Sequence, residues 1–127
     1  GLLIEYMPYS VKNNKRAVLT ATSQNGLALE FASPDLKKDW EVVLNAVKNN
    51  GLALKFSDPS IQKSPYYRNW IIREALKQNG LALKDASKEI QDDDKMVALA
   101  SSQNKRALLH ASLRLWKKHT KSTRYMR

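Results

Sequence analysis

The sequence predicts an all-α fold, a compact α-solenoid of alternating long and short helices: about four 25-residue repeats plus a C-terminal helix, forming one domain over residues 1–127. Three observations carry that expectation. The nine residues from Asn25 to Ser33, Asn-Gly-Leu-Ala-Leu-Glu-Phe-Ala-Ser, recur from Asn50 and again from Asn79, with a weaker copy from Asn104. Counting back places Gly1-Leu2-Leu3-Ile4-Glu5-Tyr6 in the same register, so repeat marks fall at 1, 26, 51, 80 and 105. Ahead of each mark the apolar residues are spaced for a helix, and nothing alternates as a strand would. The period is shorter than the roughly 33 to 45 residues of the common helix-pair arrays.

The long helices are expected around Ala17, Val18 and Ala21; around Val42, Val43, Ala46 and Val47; around Ile71, Ile72, Ala75 and Leu76; and around Met96, Val97 and Ala100. Asn14, Asp39 and Asp93 stand where an N-cap side chain accepts hydrogen bonds from free amides. Each Asn-Gly is expected to end its helix through a positive-φ glycine. The Leu-Ala-Leu-x-Phe-Ala-Ser that follows reads as a second, shorter helix with Leu and Phe in the core, and Ser33-Pro34-Asp35 and Asp58-Pro59-Ser60 read as turns into the next unit. Such a stack buries each unit only against its neighbours, so its ends need a cap or a partner.

Three departures from the repeat are the candidates for function. The third unit is four residues longer, around Ser64-Pro65-Tyr66-Tyr67-Arg68-Asn69-Trp70. Ser-Pro predicts a helix starting about one turn earlier. Tyr66, Tyr67 and Trp70 are either extra core or anchors for a partner. In the same unit Arg73 replaces Leu19 and Leu44, and Asp85 replaces Phe31 and Phe56, which reads as a compensating ion pair or as a polar recognition patch. The last unit exchanges Gly for Lys105 and Phe for His110, so residues 95 to about 118 are expected as one long or shallowly kinked helix. Its apolar Leu109, Leu113 and Trp116 would cap the stack or dock elsewhere, with Arg114, Lys117, Lys118 and Lys121 projecting away.

The net charge of +10 is local. Residues 1–94 hold 13 basic and 12 acidic residues, and residues 95–127 hold 9 basic and no acidic ones. The basic C-terminal helix and tail, about 106–127, could attract nucleic acid or an anionic membrane, with Trp116 and Tyr125 available for stacking. The nearly neutral body implies no extended basic groove. No catalytic, cofactor-binding or metal-binding residue is expected: there is no cysteine, His110 and His119 stand nine residues apart, the four glycines are dispersed, and Asp92-Asp93-Asp94 reads as a helix cap. No signal peptide or membrane-spanning segment is recognisable, and a start at Gly1 leaves room for a preceding segment. The apolar Leu2, Leu3, Ile4 and Tyr6 at one end and the apolar C-terminal helix at the other suggest a homodimer.

The repeated Asn-Gly-Leu-Ala-Leu-x-Phe-Ala-Ser, followed by a capped helix such as Asp39–Val47, resembles a helical-repeat family catalogued only as a domain of unknown function. The resemblance covers residues 1–112 and is strongest at 26–57 and 71–87. It implies a secreted protein of intracellular bacteria acting in the host cytoplasm, without catalytic residues. A chain made almost wholly of these repeats is similar to stand-alone regulators that bind and inhibit bacterial effector enzymes of transglutaminase and ubiquitin-deamidase type. The expected role is therefore a protein-binding inhibitor acting by steric occlusion. Partner contacts are expected from Tyr66, Tyr67, Trp70, Arg73, Asp85, Arg114, Trp116, Lys117 and Lys118. Polyanion binding by the C-terminal helix is the alternative.

Overall fold

The structure, a computed structural model, describes residues 6–124. Leu2, Leu3 and Ile4 of the first unit, and Tyr125 of the tail, lie outside the described residues. Long helices α2 (Lys15–Gln24), α4 (Trp40–Asn49), α5 (Arg68–Gln78) and α7 (Asp94–Gln103) pack side by side in chain order. A second layer of 3-10 helices, Gly26–Phe31, Gly51–Phe56, Gly80–Asp85 and Lys105–His110, stacks in the same order. The core lies between the layers. Val18, Val43, Ile72 and Val97, one from each long helix, are fully buried and meet Leu29, Leu54 and Leu83 from the 3-10 layer.

Each unit holds three helical pieces where the sequence predicts two. The two expected turns are themselves short helices, α3 (Pro34–Lys37) and a 3-10 turn at Pro59–Lys63, and α1 (Tyr9–Lys12) and α6 (Lys88–Gln91) take the same place in the first and third units. Ser33 and Ser87 cap theirs by accepting from the amides of Leu36 and Ile90, and Asp58 accepts from Ser60. These caps bring Leu36, Ile61 and Ile90 into the core. In the last unit Ser112 caps α8 (Leu113–Arg124) in the same way and buries Leu115. There the helix runs on, joining the short and long pieces into one.

The glycine expectation is corrected. No described glycine has a positive φ. The asparagine ends each long helix: Asn25, Asn50, Asn79 and Asn104 are extended, with φ between −148° and −154°, and each side chain accepts from the amide two residues on. Because Asn104 does this without a following glycine, α7 and α8 are separate helices, not one long helix. Glycine is needed for close approach instead. A Cβ at Gly26, Gly51 or Gly80 would sit 2.3, 2.3 and 2.2 Å from the carbonyl oxygens of Ala46, Ala75 and Ala100 in the next unit's long helix. Their amides donate to Asn49, Gln78 and Gln103 at the ends of those helices. The mark residue is thus a joint between units, and it tolerates a side chain only where no such helix covers it, as at Lys105.

Candidate functional site

The inserted residues of the third unit do not lengthen the helix by a turn. Residues 65–67 form a turn, and α5 begins at Arg68. Ser64 holds the turn from within, its hydroxyl accepting from the Tyr66 amide at 3.2 Å and its carbonyl from the Arg68 amide at 3.2 Å. Tyr66 is pushed outward and is 92% exposed. Tyr67 folds back against the core as a partly buried residue.

Tyr67 stacks on Trp40, with ring centroids 6.3 Å apart and planes at 25°. Trp70 stands on the other side of Trp40, at 5.7 Å and 37°. The three rings form a continuous aromatic surface, with Trp40 40% and Trp70 47% exposed. Trp40 was not among the residues singled out from the sequence. The signal was available, because Trp40 and Trp70 both occupy the first turn of a long helix and α4 packs against α5. Around this surface the helix N-termini carry charge. Lys15 bridges Asp39 at 3.0 Å and Glu41 at 2.7 Å, and these two carboxylates, Glu41 first, raise its ammonium pKa. Exposed pairs of this kind add little stability but keep the rim polar.

Arg73 and Asp85 do not meet. Arg73 lies on the exposed side of α5 and lines shallow depressions with Trp70, Glu74 and Lys77, and with Asn69, Asp93 and Lys95. Of the two leucines at its place in the other units, Leu44 is buried and Leu19 only partly so, and Arg73 is itself exposed, so the guanidinium reaches water and pairs with no carboxylate among the described residues. Asp85 instead lines a cleft of about 520 Å³ together with Arg68. The Asp85 Oδ2 and Arg68 Nε atoms are both buried without a hydrogen-bond partner, while a terminal nitrogen of Arg68 lies 3.5 Å from Glu89. Gln62 spans the cleft, donating to the Asp85 carbonyl at 3.0 Å and accepting from the Ser87 amide at 2.6 Å.

The basic C-terminal residues divide. Arg114 and Lys118 do not project freely. Arg114 bridges Asp92 at 3.0 Å, where the Ser112 hydroxyl also donates at 2.6 Å. Lys118 pairs with Asp94, whose other oxygen lies 3.2 Å from His119 Nε2. The Ser112 hydrogen bond and then that from Arg114 hold the Asp92 carboxyl below the usual carboxylate range, and hydrogen bonds from Lys118 and then His119 do the same for Asp94. Asp93 between them caps α7, accepting from Lys95 and Met96. The acidic triplet therefore caps one helix and fastens the next. Trp116 and Lys117 remain exposed. Among the described residues no group of three His, Cys, Asp or Glu could hold a metal ion, and no helix is long and apolar enough to cross a membrane.

The nine sequence-predicted residues thus fall in three places. Tyr66, Tyr67, Trp70 and Arg73 share one surface with Trp40, Asp85 lies in the cleft with Arg68, and Arg114, Trp116, Lys117 and Lys118 belong to α8. One family model, described as Domain of unknown function (DUF4116), matches residues 1–37, 14–62 and 71–116. No curated protein and no solved structure matches the chain.

Proposed function

From the premise that the chain belongs to the DUF4116 family, a domain of unknown function, we propose that it is a non-catalytic protein-binding regulator. In this reading its partner is a bacterial effector enzyme of transglutaminase or deamidase type, blocked by occlusion of its substrate surface in the host cytoplasm. The observation that carries the binding role is the aromatic surface of Trp40, Tyr67 and Trp70 with the almost fully exposed Tyr66 beside it. Large rings left in water at a polar rim gain most by desolvation against a partner, and Trp, Tyr and Arg dominate binding energy at interfaces. Two helix termini and a hydrogen-bonded turn hold these rings, so little side-chain freedom remains to be lost on binding. The partner class comes from the resemblance of the repeats.

The test is size-exclusion chromatography of the protein mixed with such an enzyme, followed by assay of its deamidation or transamidation. A stoichiometric complex that survives 0.5 M salt (roughly a 4 Å screening length) and suppresses turnover supports the reading. Replacing Tyr66 and Trp70 together by Ala should weaken it by about 30-fold or more, as expected for loss of a hot spot. Inhibition unchanged in that variant removes the aromatic surface as the site, and no complex with such enzymes removes the partner class. The alternative of a nucleic-acid groove is less well supported, because Arg114 and Lys118 are neutralised by Asp92 and Asp94.

A further inference from the structure

Positions four, eight and eleven past the repeat mark are charged, polar or Pro in every internal unit: Glu30, Pro34 and Lys37; then Lys55, Pro59 and Gln62; then Lys84, Lys88 and Gln91. In the second unit these side chains face the following one, whereas that of Gln91 turns back to the carbonyls of Leu83 and Lys84 in its own unit. Lys55, Pro59 and Gln62 line the cleft whose far wall includes Asp85 and Ser87, and the carbonyls of Lys37 and Gln91 accept from the amides of Asp58 and Ser112. The terminal unit places Leu109, Leu113 and Trp116 at the same three positions, and they are 73%, 65% and 39% exposed. Repeat packing does not ask for apolar residues there, so folding does not account for them.

Continuation of the stack by a second copy does not account for them either. The rung joining units is an amide seven past the mark, donated by Ser33, Asp58 and Ser112 to the unit before. In the first unit that position is Pro8, which has no N–H to donate. At the other end the matching carbonyl, of Trp116, lies inside α8 and accepts from the Thr120 hydroxyl at 2.7 Å. Pro8 of one copy therefore cannot make this rung to Trp116 of another.

The surroundings of the patch are cationic. Arg106 stands three residues before Leu109 in a 3-10 helix and so shares its face, and Lys117 lies one turn beyond Leu113. Both are exposed, on a segment with no acidic residue after Asp94, and neither is in an ion pair with a described residue, unlike Arg114 and Lys118. Of the long helices, α8 is the most strongly amphipathic. Apolar side chains with a Trp among them, rimmed by Lys and Arg on flexible stems, match a layered target: a hydrocarbon edge beneath a diffuse sheet of negative headgroups.

We propose that the terminal unit docks on an anionic lipid surface, with Leu109, Leu113 and Trp116 entering the interface and Arg106 and Lys117 meeting the headgroups. The site is separate from the aromatic surface of the third unit and stands whether or not that surface binds an enzyme. The probe is co-sedimentation with phosphatidylcholine vesicles prepared with and without phosphatidylserine. Binding is expected only with phosphatidylserine. It should fall about tenfold or more in Leu113→Ser/Trp116→Ser and in Arg106→Glu/Lys117→Glu, and stay unchanged in Tyr66→Ala/Trp70→Ala. Circular dichroism of each variant, matching that of the parent, ensures that a loss is not unfolding. Vesicle binding that persists in Leu113→Ser/Trp116→Ser overturns the proposal in favour of bare charge attraction. Absence of vesicle binding together with a dimer in light scattering that the same substitution abolishes overturns it in favour of a second copy, and absence of both overturns it outright.

Discussion

The internal and terminal units share a backbone plan but spend their equivalent positions differently. Where another unit follows, the mark is Gly, with the next long helix within 2.3 Å of where a Cβ would be, and the outer edge of the 3-10 layer is polar. In the terminal unit the mark is Lys105, the edge is Leu109, Leu113 and Trp116, and a continuous α8 held by Asp92 and Asp94 replaces the short and long helices. The difference teaches that the repeat motif contains two kinds of residue. Asn, the caps and the buried Val and Leu build a unit, whereas Gly and the edge residues describe what lies beside it. Residues of the second kind change as soon as the neighbour changes.

Paired substitutions break or sharpen this comparison. The largest effect should come from Leu54→Ala, which empties a fully enclosed position between two layers. Urea unfolding should show a loss of about 4 kcal/mol, against little change for Leu109→Ala. Next comes Gly51→Ala, whose Cβ would press on the Ala75 carbonyl. The two units would be forced apart at a cost of about 3 kcal/mol, whereas Lys105→Ala should be near neutral by the same measurement. If both mark substitutions cost the same, the mark is not a joint between units. Asn104→Ala should cost about 1 kcal/mol, like Asn50→Ala, because both caps act within their own unit.

Acid sharpens the comparison at the smallest scale. Asp92 and Asp94 have folded-state carboxyl pKa values below the ordinary ones. Their contribution is therefore complete above the ordinary carboxylate range, near about pH 4, and is lost as the pH falls through the lower folded values. Hydrogen exchange should show α8 amides losing protection on acidification before those of α4, and 1 M salt, which screens these pairs, should lower α8 protection at neutral pH and shrink its further loss in acid. Equal loss in both helices would mean that these pairs do not fasten α8.

Much of the candidate surface was legible in the inserted Ser64–Trp70 segment, because an insertion into a strict repeat cannot be explained by the repeat. Trp40 was missed for the opposite reason: it sits in an ordinary unit and gains its meaning only from lying beside Trp70. Arg73 and Asp85 share a unit, yet one occupies the rim of the long-helix layer and the other the cleft below the 3-10 layer. Co-location in a unit therefore did not imply contact. Arg114 and Lys118 read as free cations until the stacking brought Asp92 and Asp94 against them.

The sequence by itself determined the all-α stack, its period, the Asn14, Asp39 and Asp93 caps, and the buried Val and Leu positions. All of these follow from interactions within one unit, where a few residues of spacing set which side chains share a face. Only the tertiary structure decided that the glycines serve close approach rather than a positive φ, that the second helix is 3-10, and that the aromatic rings converge. It also decided which C-terminal cations are spent on carboxylates. Those outcomes depend on how one unit is laid on the next, a geometry that spacing within a unit does not contain.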